Sequence, residues 1–168
     1  FQMSNVQSAT VDVTTTISST SVTFGLANNG LVAGLWVSVP IYISVGGIIL
    51  QGFYQVDSCT TNTFTITAAS AATSSVSNAG SVPLYNVTLG DETVTVTLAN
   101  HGFVPGETYT VHDQTIVGGI SLLGDYTITT APTANTLTFE ALNPAGLTTS
   151  ASENSGEMQV AVQSGTNL

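Results

Sequence analysis

The sequence contains neither lysine nor arginine, so its ten carboxylates give a formal net charge of -10. Binding to nucleic acid or to an anionic membrane surface draws mainly on cationic side chains. We therefore expect neither as a partner. Charged residues make up only 6% of the chain, far below the usual quarter or so. Apart from a protonated histidine, no side chain can form a salt bridge. Burial and backbone hydrogen bonds must therefore stabilise the fold.

Cysteine and long apolar runs are also scarce. Cys59 is the single cysteine, which excludes an internal disulfide and predicts a small, half-buried apolar residue. The longest apolar run, residues 45–50, is much shorter than the roughly 20 residues of a membrane-spanning helix. The chain begins with Phe1 and shows no signal-peptide pattern. We expect it to be a processed product or an ordered fragment of something longer.

The second half of the chain repeats the first. Aligning residue n with residue n+72 matches residues 21–56 to residues 93–128 without a gap and gives 16 identities in 36 positions. One inserted residue near Pro132 then restores the match between residues 62–64 and 135–137. Two copies are too few for a solenoid. The repeat predicts two tandem β modules related by internal duplication, over residues 1–80 and 81–168.

Apolar and polar residues alternate with a period of two, which is typical of strands and not of helices. The alternating sets are Val11, Val13 and Ile17; Val22, Phe24 and Leu26; Val37, Val39, Ile41 and Ile43; and Val94, Val96 and Leu98. We predict an all-β fold in which each module has five or six strands in a small antiparallel barrel or sandwich. The Ala/Ser/Thr stretches at 68–79 and 141–155 predict loops, with any helix confined to them.

The best-preserved feature of the repeat is a glycine-rich loop, LANNGLVAGL at 26–35 and LANHGFVPGE at 98–107. The segment 104–107 is typical of a type II turn, with Pro105 first and Gly106 accepting the positive φ. Its counterpart keeps Gly34. Earlier in each loop a glycine precedes one large apolar residue that we expect to close the end of the barrel. These pairs are Gly30 with Leu31, and Gly102 with Phe103.

His101 lies opposite Asn29 in the repeat. Histidine and asparagine are both enriched at non-glycine positions with positive φ. We therefore interpret His101 as a residue that shapes or caps the loop by a hydrogen bond, and not as a metal ligand or a catalytic base.

His112-Asp113 is the other pair that could suggest acid–base chemistry, because a carboxylate can orient an imidazole. Adjacent side chains in a strand point to opposite faces, so the two can act together only in a bulged strand. The first copy has Pro40-Ile41 at this place. We expect a solvated edge pair without chemistry.

The motif Val-Gly-Gly-Ile, at 45–48 and 117–120, lacks the lysine that follows in a phosphate-binding loop. It predicts a wide turn before a strand that begins at Gly52 or Gly124. The carboxylates do not have the spacing of a calcium loop. The sequence thus predicts no catalytic residue, no metal and no cofactor.

Both copies share the pattern Asn-(His/Asn)-Gly-(Phe/Leu)-x-x-Gly, then Gly-Gly-Ile, Gly-x-Tyr and Asn-Thr-(Phe/Leu). This pattern resembles a small β module that recurs, often in tandem, in virion proteins of tailed bacteriophages, including tail, fibre and adhesion components. The family pattern has no catalytic residues to carry over. Asn29 departs from its His-Gly. The resemblance implies a structural part of a phage particle, located in the virion.

We therefore expect a non-enzymatic structural subunit of a tail, a fibre or a capsid decoration. Repeated β modules offer strand edges for packing, so a homo-oligomer is expected, and an acidic subunit suits a basic neighbouring virion protein. The alternative is a carbohydrate-binding or adhesin module pair that contacts a host surface glycan. Such a site needs exposed aromatics, and the candidates are Trp36, Tyr42, Phe53 and Tyr54. Tyr54 recurs as Tyr126 at an expected core position, whereas Trp36 becomes Thr108 in the second copy, so Trp36 is the candidate ligand contact of an aromatic patch special to the first module. An enzyme such as a glycan depolymerase would need paired carboxylates, which are absent at matched positions.

Overall fold

The computed structural model describes residues 6–163 and divides them into two compact units. Unit 1 comprises residues 6–80 and 158–163, and unit 2 comprises residues 81–157. The predicted all-β class is confirmed, since both units are built from antiparallel sheets. Residues 6–163 contain no α-helix and a single short 3-10 helix, Glu153–Gly156. Nothing in this range is a helix that could cross a membrane.

Unit 1 contains a four-stranded sheet and a five-stranded sheet. The first has the order β1-β15-β4-β5 and the second the order β6-β7-β3-β2-β8. Its strands are β1 Val6–Thr10, β2 Asp12–Thr15, β3 Ser21–Gly25, β4 Trp36–Val45, β5 Ile48–Gln55, β6 Ser58–Cys59, β7 Thr63–Thr67, β8 Val76–Ala79 and β15 Gln159–Gln163.

Unit 2 contains one six-stranded sheet of order β11-β12-β13-β10-β9-β14. Its strands are β9 Leu84–Val87, β10 Thr93–Thr97, β11 Thr108–Val117, β12 Ile120–Thr133, β13 Thr136–Glu140 and β14 Thr149–Ser152. The single sheet arises because β12 continues past its pairing with β11 to pair with β13 as well. In unit 1 the corresponding stretch is split between β5 and β6.

The alternating pattern of the sequence places the core as expected. Strands β3, β7, β10 and β13 bury every second residue, and in unit 1 this stacks Phe24 on Phe64 with ring centroids 5.0 Å apart. In unit 2 the core is richer in aromatic rings, with Tyr85 and Tyr109 fully buried. Ile17 departs from the alternation, because it lies beyond the end of β2 in a loop and is 57% exposed.

The last strand, β15, does not belong to the second module. It pairs with β1 throughout and with β4 at Val37 and Ser38, so residues 158–163 group with unit 1. Unit 2 therefore ends at Glu157 and not at the end of the chain, whereas its start at Ser81 coincides with the expected module boundary.

Two further expectations are wrong in detail. The Val-Gly-Gly-Ile motif forms a tight two-residue hairpin turn and not a wide one, because φ is 56° at Gly46 and 82° at Gly47, and 55° and 83° at Gly118 and Gly119. Positive φ at both central residues is the signature of a type I′ turn. The stretches at 68–79 and 141–155 are also not only loops, since they contain β8 and β14, which complete the sheet edges.

Candidate functional site

The glycine-rich loops contain the predicted type II turns in both units. Gly106 has φ of 90° and the Glu107 N–H donates to the Val104 carbonyl at 3.2 Å. Gly34 also has φ of 90°, and the Leu35 N–H donates to the Val32 carbonyl at 3.3 Å. A hydrogen bond from residue i+3 to residue i, with positive φ at i+2, defines this turn.

His101 is buried and binds three backbone groups of its own unit. Its Nδ1 accepts from the Phe103 N–H at 3.0 Å. The ring proton therefore lies on Nε2, which is 3.1 Å from the carbonyl oxygens of both Thr133 and Thr136 and can donate to them. The neutral imidazole thus ties the loop to the turn between β12 and β13, and it presents no nitrogen to a ligand.

In unit 1, the side-chain amide of Asn29 forms the corresponding hydrogen bonds. Its Oδ1 accepts from the Leu31 N–H at 2.9 Å, as the imidazole accepts from Phe103. Its Nδ2 lies 3.0 Å from the Thr60 carbonyl and 3.4 Å from the Thr63 carbonyl, on the facing turn. The amide replaces the acceptor and the donor of the imidazole one for one. His101 and Asn29 are therefore two different side chains that bind the same backbone groups of the loop and of the facing turn.

The positive φ in this loop does not fall on the histidine position. It falls on the preceding Asn28 and Asn100, each with φ of 53°, and on the following glycine. Gly30 has φ of 63° and Gly102 has φ of 69°. Of the two apolar residues expected to close the barrel end, Leu31 is buried, and Phe103 is half-buried and stacks on the imidazole at 5.9 Å.

In β5 and β12, the tyrosine of the Gly-x-Tyr motif accepts a hydrogen bond from a backbone N–H of its own strand. The Tyr54 hydroxyl lies 3.2 Å from the Gln51 N–H, and the Tyr126 hydroxyl lies 3.2 Å from the Leu123 N–H. Each tyrosine thus accepts from the residue just before the glycine. Both rings are half-buried, and Tyr126 stacks on Phe139 at 4.2 Å. The recurrence of the tyrosine is explained by packing and by this hydrogen bond.

The strand carrying His112 and Asp113 is bulged, as is its counterpart. The register of β11 against β12 shifts between Val111 and Thr115, and that of β4 against β5 shifts between Val39 and Ile43. The expectation of a solvated pair is wrong for His112, which is half-buried, while Asp113 is exposed. Burial lowers the pKa of His112, and the nearby Asp125 carboxylate partly offsets this effect.

The bulge is held by a residue that the sequence pattern did not single out, Glu153. Its Oε1 accepts from the backbone N–H groups of His112 and Asp113, both at 2.7 Å. Its Oε2 accepts from the Tyr85 hydroxyl at 2.8 Å, and that hydroxyl lies 3.1 Å from the Tyr109 hydroxyl. The pair at 112–113 thus acts together through its backbone and not through its side chains.

Glu153 is 0% exposed, so the carboxylate is sealed from any substrate. Its burial raises the pKa of this group, against three hydrogen bonds that favour the ionised form. Burial likewise raises the pKa of Tyr85 far above its usual range. Unit 1 has no N–H at the matching position, because Pro40 stands where unit 2 has His112. The only signal in the sequence was an isolated glutamate in a stretch of Ser, Ala and Asn.

Trp36 and Phe53 lie on the same face of the β4–β5 ladder. Trp36 pairs with Gln55 and Phe53 pairs with Ser38, while Val37 and Val39 point into the core. Trp36 is half-buried and Phe53 is 55% exposed. The structure therefore places the candidate ligand contact beside a second aromatic side chain.

In the described part of the chain, the remaining Cys, His, Asp and Glu residues form no metal-binding cluster. Cys59 is half-buried against the core of unit 1, and its thiol donates to the Leu31 carbonyl at 3.1 Å. Across residues 6–163, no three His, Cys, Asp or Glu side chains converge as metal ligands would. No protein-family model, curated protein or solved structure matches the chain.

Proposed function

We propose that this chain is a non-enzymatic structural subunit of a tailed-bacteriophage particle, acting through subunit packing and assembly. One observation carries the proposal. The buried histidine and the buried carboxylate of the described residues, His101 and Glu153, both bind the chain's own backbone. A catalytic group must reach the reacting atoms of a substrate, and these two groups cannot.

The comparison of the two units supports the same proposal. Their loops keep the same turns and hydrogen bonds, while the titratable side chain at 101 is replaced by an amide and that at 112 by a proline. What the duplication preserves is a scaffold and not a set of reactive groups. The resemblance of the Gly-Gly-Ile and Gly-x-Tyr motifs to virion β modules supports the proposed location in a phage particle.

The test is to locate the chain in particles made by the phage or host that encodes it. Antibodies against the chain should label intact particles at regular positions in negative-stain images, and cross-linking should join the chain to neighbouring virion proteins. Purified, infectious particles that lack the chain would contradict the proposal. A chain that turns over a glycan or peptide substrate would also contradict it.

A second candidate is glycan binding by unit 1, favoured by the shared face of Trp36 and Phe53. Aromatic rings stacking on a sugar are a recurrent feature of such sites. The matched variant is Trp36→Thr, because unit 2 carries Thr108 at this position. Binding on a glycan array that disappears in this variant, and persists in a Val104→Ala control, would support an adhesin role. Absence of glycan binding by the wild type, or unchanged binding by the Trp36→Thr variant, would contradict an adhesin role.

A further inference from the structure

One end of each unit is built from the same two loops, joined by the same hydrogen bonds. In unit 2, the Gly90 N–H donates to the Ala145 carbonyl at 2.8 Å and the Ala141 N–H donates to the Glu92 carbonyl at 2.8 Å. In unit 1, Ser18 donates to Ala72 and Ala68 donates to Thr20, each at 2.8 Å. These bonds align residues 88–92 with 16–20, and residues 140–148 with 67–75. Each side chain of one loop end thus has a structural counterpart in the other.

Three leucines stand out on the loop end of unit 2. Leu89 is 65% exposed, Leu142 is 91% exposed and Leu147 is 60% exposed. Leu89 bridges to Ala145, and its N–H donates to the hydroxyl of Thr148, next to Leu147. We call these three residues the leucine patch. Their counterparts in unit 1 are Ile17, Ala69 and Ser74, so most of this apolar surface is special to unit 2.

Three exposed carboxylates lie close to these leucines along the chain. Asp91 and Glu92 lie in the same loop as Leu89, and Glu140 lies two residues before Leu142. The Asp91 Oδ1 accepts from the Thr93 N–H at 2.9 Å, and Glu140 accepts from the Thr93 hydroxyl at 3.2 Å, which fixes two of the three. The counterparts in unit 1 are Ser19, Thr20 and Thr67. The two units thus share the backbone of these loops, while the leucine and carboxylate positions of unit 2 carry other residues in unit 1.

The charges decide what can cover this surface. Anionic lipid and nucleic acid would be repelled, because the chain has no cation to offset the carboxylates. A second copy packed on the same patch would bring six carboxylates together. An apolar pocket rimmed by lysine or arginine satisfies both the leucines and the charges.

We propose that the leucine patch with its three carboxylates is a docking surface for a basic protein partner. The partner presents an apolar pocket to Leu89, Leu142 and Leu147 and cationic side chains to Asp91, Glu92 and Glu140. This inference deepens the proposed function and rests on it, since the partner would be a neighbouring subunit of the particle.

The experiment uses the full chain and a designed amphipathic peptide with leucines on one face and lysines beside them. The matched variants carry residues of unit 1, namely Leu142→Ala with Leu147→Ser, and Asp91→Ser with Glu92→Thr and Glu140→Thr. By fluorescence anisotropy, the leucine variant should lose at least about tenfold in affinity, since it removes two of the three apolar side chains that the partner would bury. The carboxylate variant should weaken binding and reduce its dependence on salt. An Ile17→Ala control in unit 1 should bind like the wild type.

Three results would overturn the inference. They are a peptide with glutamates in place of lysines that binds equally well, a leucine variant that binds like the wild type, and a wild-type oligomer that dissociates in the leucine variant. The last result would assign the patch to a second copy. The proposed function fails separately, because labelling of particles by antibodies does not depend on the peptide measurement.

Discussion

Replacing Glu153 with glutamine separates the hydrogen bonds of this residue from its charge. A glutamine Oε1 can accept from the N–H groups of His112 and Asp113, as the carboxylate does at 2.7 Å. Its Nε2 can donate to the Tyr85 oxygen, and the Tyr85 hydroxyl can then turn toward Tyr109, 3.1 Å away. The Glu153→Gln variant therefore keeps the three hydrogen bonds of this residue and removes its buried charge. Glu153→Ala removes the contacts as well.

The structure sets the size of both effects. A buried N–H left without an acceptor costs about 1–3 kcal/mol, whereas water can reach the N–H of the exposed Asp113, so Glu153→Ala should lower the free energy of unfolding by about 1–3 kcal/mol. Burial raises the pKa of Glu153 in the folded state above its unfolded value of about 4.3. Each tenfold difference between the two acid constants corresponds to about 1.4 kcal/mol. Glu153→Gln should therefore be more stable than the wild type at neutral pH.

The sign of the pH dependence follows from linkage. A group whose pKa is raised on folding contributes stability that is fully present below the unfolded pKa and is lost as pH rises through the folded pKa. The advantage of Glu153→Gln should thus be absent below the unfolded pKa of about 4.3, grow as pH rises from the unfolded pKa to the folded pKa, and level off above the folded pKa. His112 acts in the opposite direction, because burial lowers its pKa. The difference between wild type and variant therefore isolates Glu153.

The assay is urea denaturation followed by far-UV circular dichroism at several pH values. Hydrogen exchange of the His112 and Asp113 amides reports the bulge directly. Glu92→Gln, at an exposed carboxylate, is the control for a change of one charge. The reasoning is refuted if Glu153→Gln is less stable than wild type at neutral pH and the wild type weakens relative to the variant on acidification. That outcome would mean that the three donors outweigh burial.

Three further sets of substitutions test the scaffold. His101→Asn copies unit 1 and should change stability by less than about 1 kcal/mol, whereas His101→Ala should cost about 1–3 kcal/mol in thermal denaturation; equal losses would contradict the shared role of the two side chains. Gly118→Ala should lower the stability clearly more than Gly119→Ala. Both glycines have positive φ, but only a Cβ at position 118 would meet Val87 Cγ2 at 2.6 Å and the Leu147 carbonyl at 2.7 Å. Similar losses of stability for the two variants would show that φ alone matters. Tyr126→Phe should cost about 1 kcal/mol by removing the acceptor of the Leu123 N–H, and no loss in denaturation would refute that bond.

The sequence predicted what depends on local backbone chemistry. The alternation of Val22 and Phe24 located a strand, and Gly34 and Gly106 located type II turns, because these features act within a few residues of their position. The duplication predicted two tandem modules. It also predicted that His101 serves the loop, since Asn29 showed that no imidazole is required there.

What the sequence did not predict depends on contacts between distant segments. Glu153 meets His112, Asp113 and Tyr85 across 40 to 68 residues, and nothing in its neighbourhood marks it as buried. The assignment of β15 to unit 1 has the same origin, because an alternating strand pattern does not state which edge it pairs with. The sequence also did not predict the leucine patch, since apolar residues are first assigned to the core.

Sedimentation velocity of the full chain over a wide concentration range tests most directly whether the protein works through packing. We expect a closed oligomer that forms reversibly as concentration rises and that persists when Leu142→Ala is combined with Leu147→Ser. A monomer at every concentration, which also fails to bind any particle protein, would contradict it.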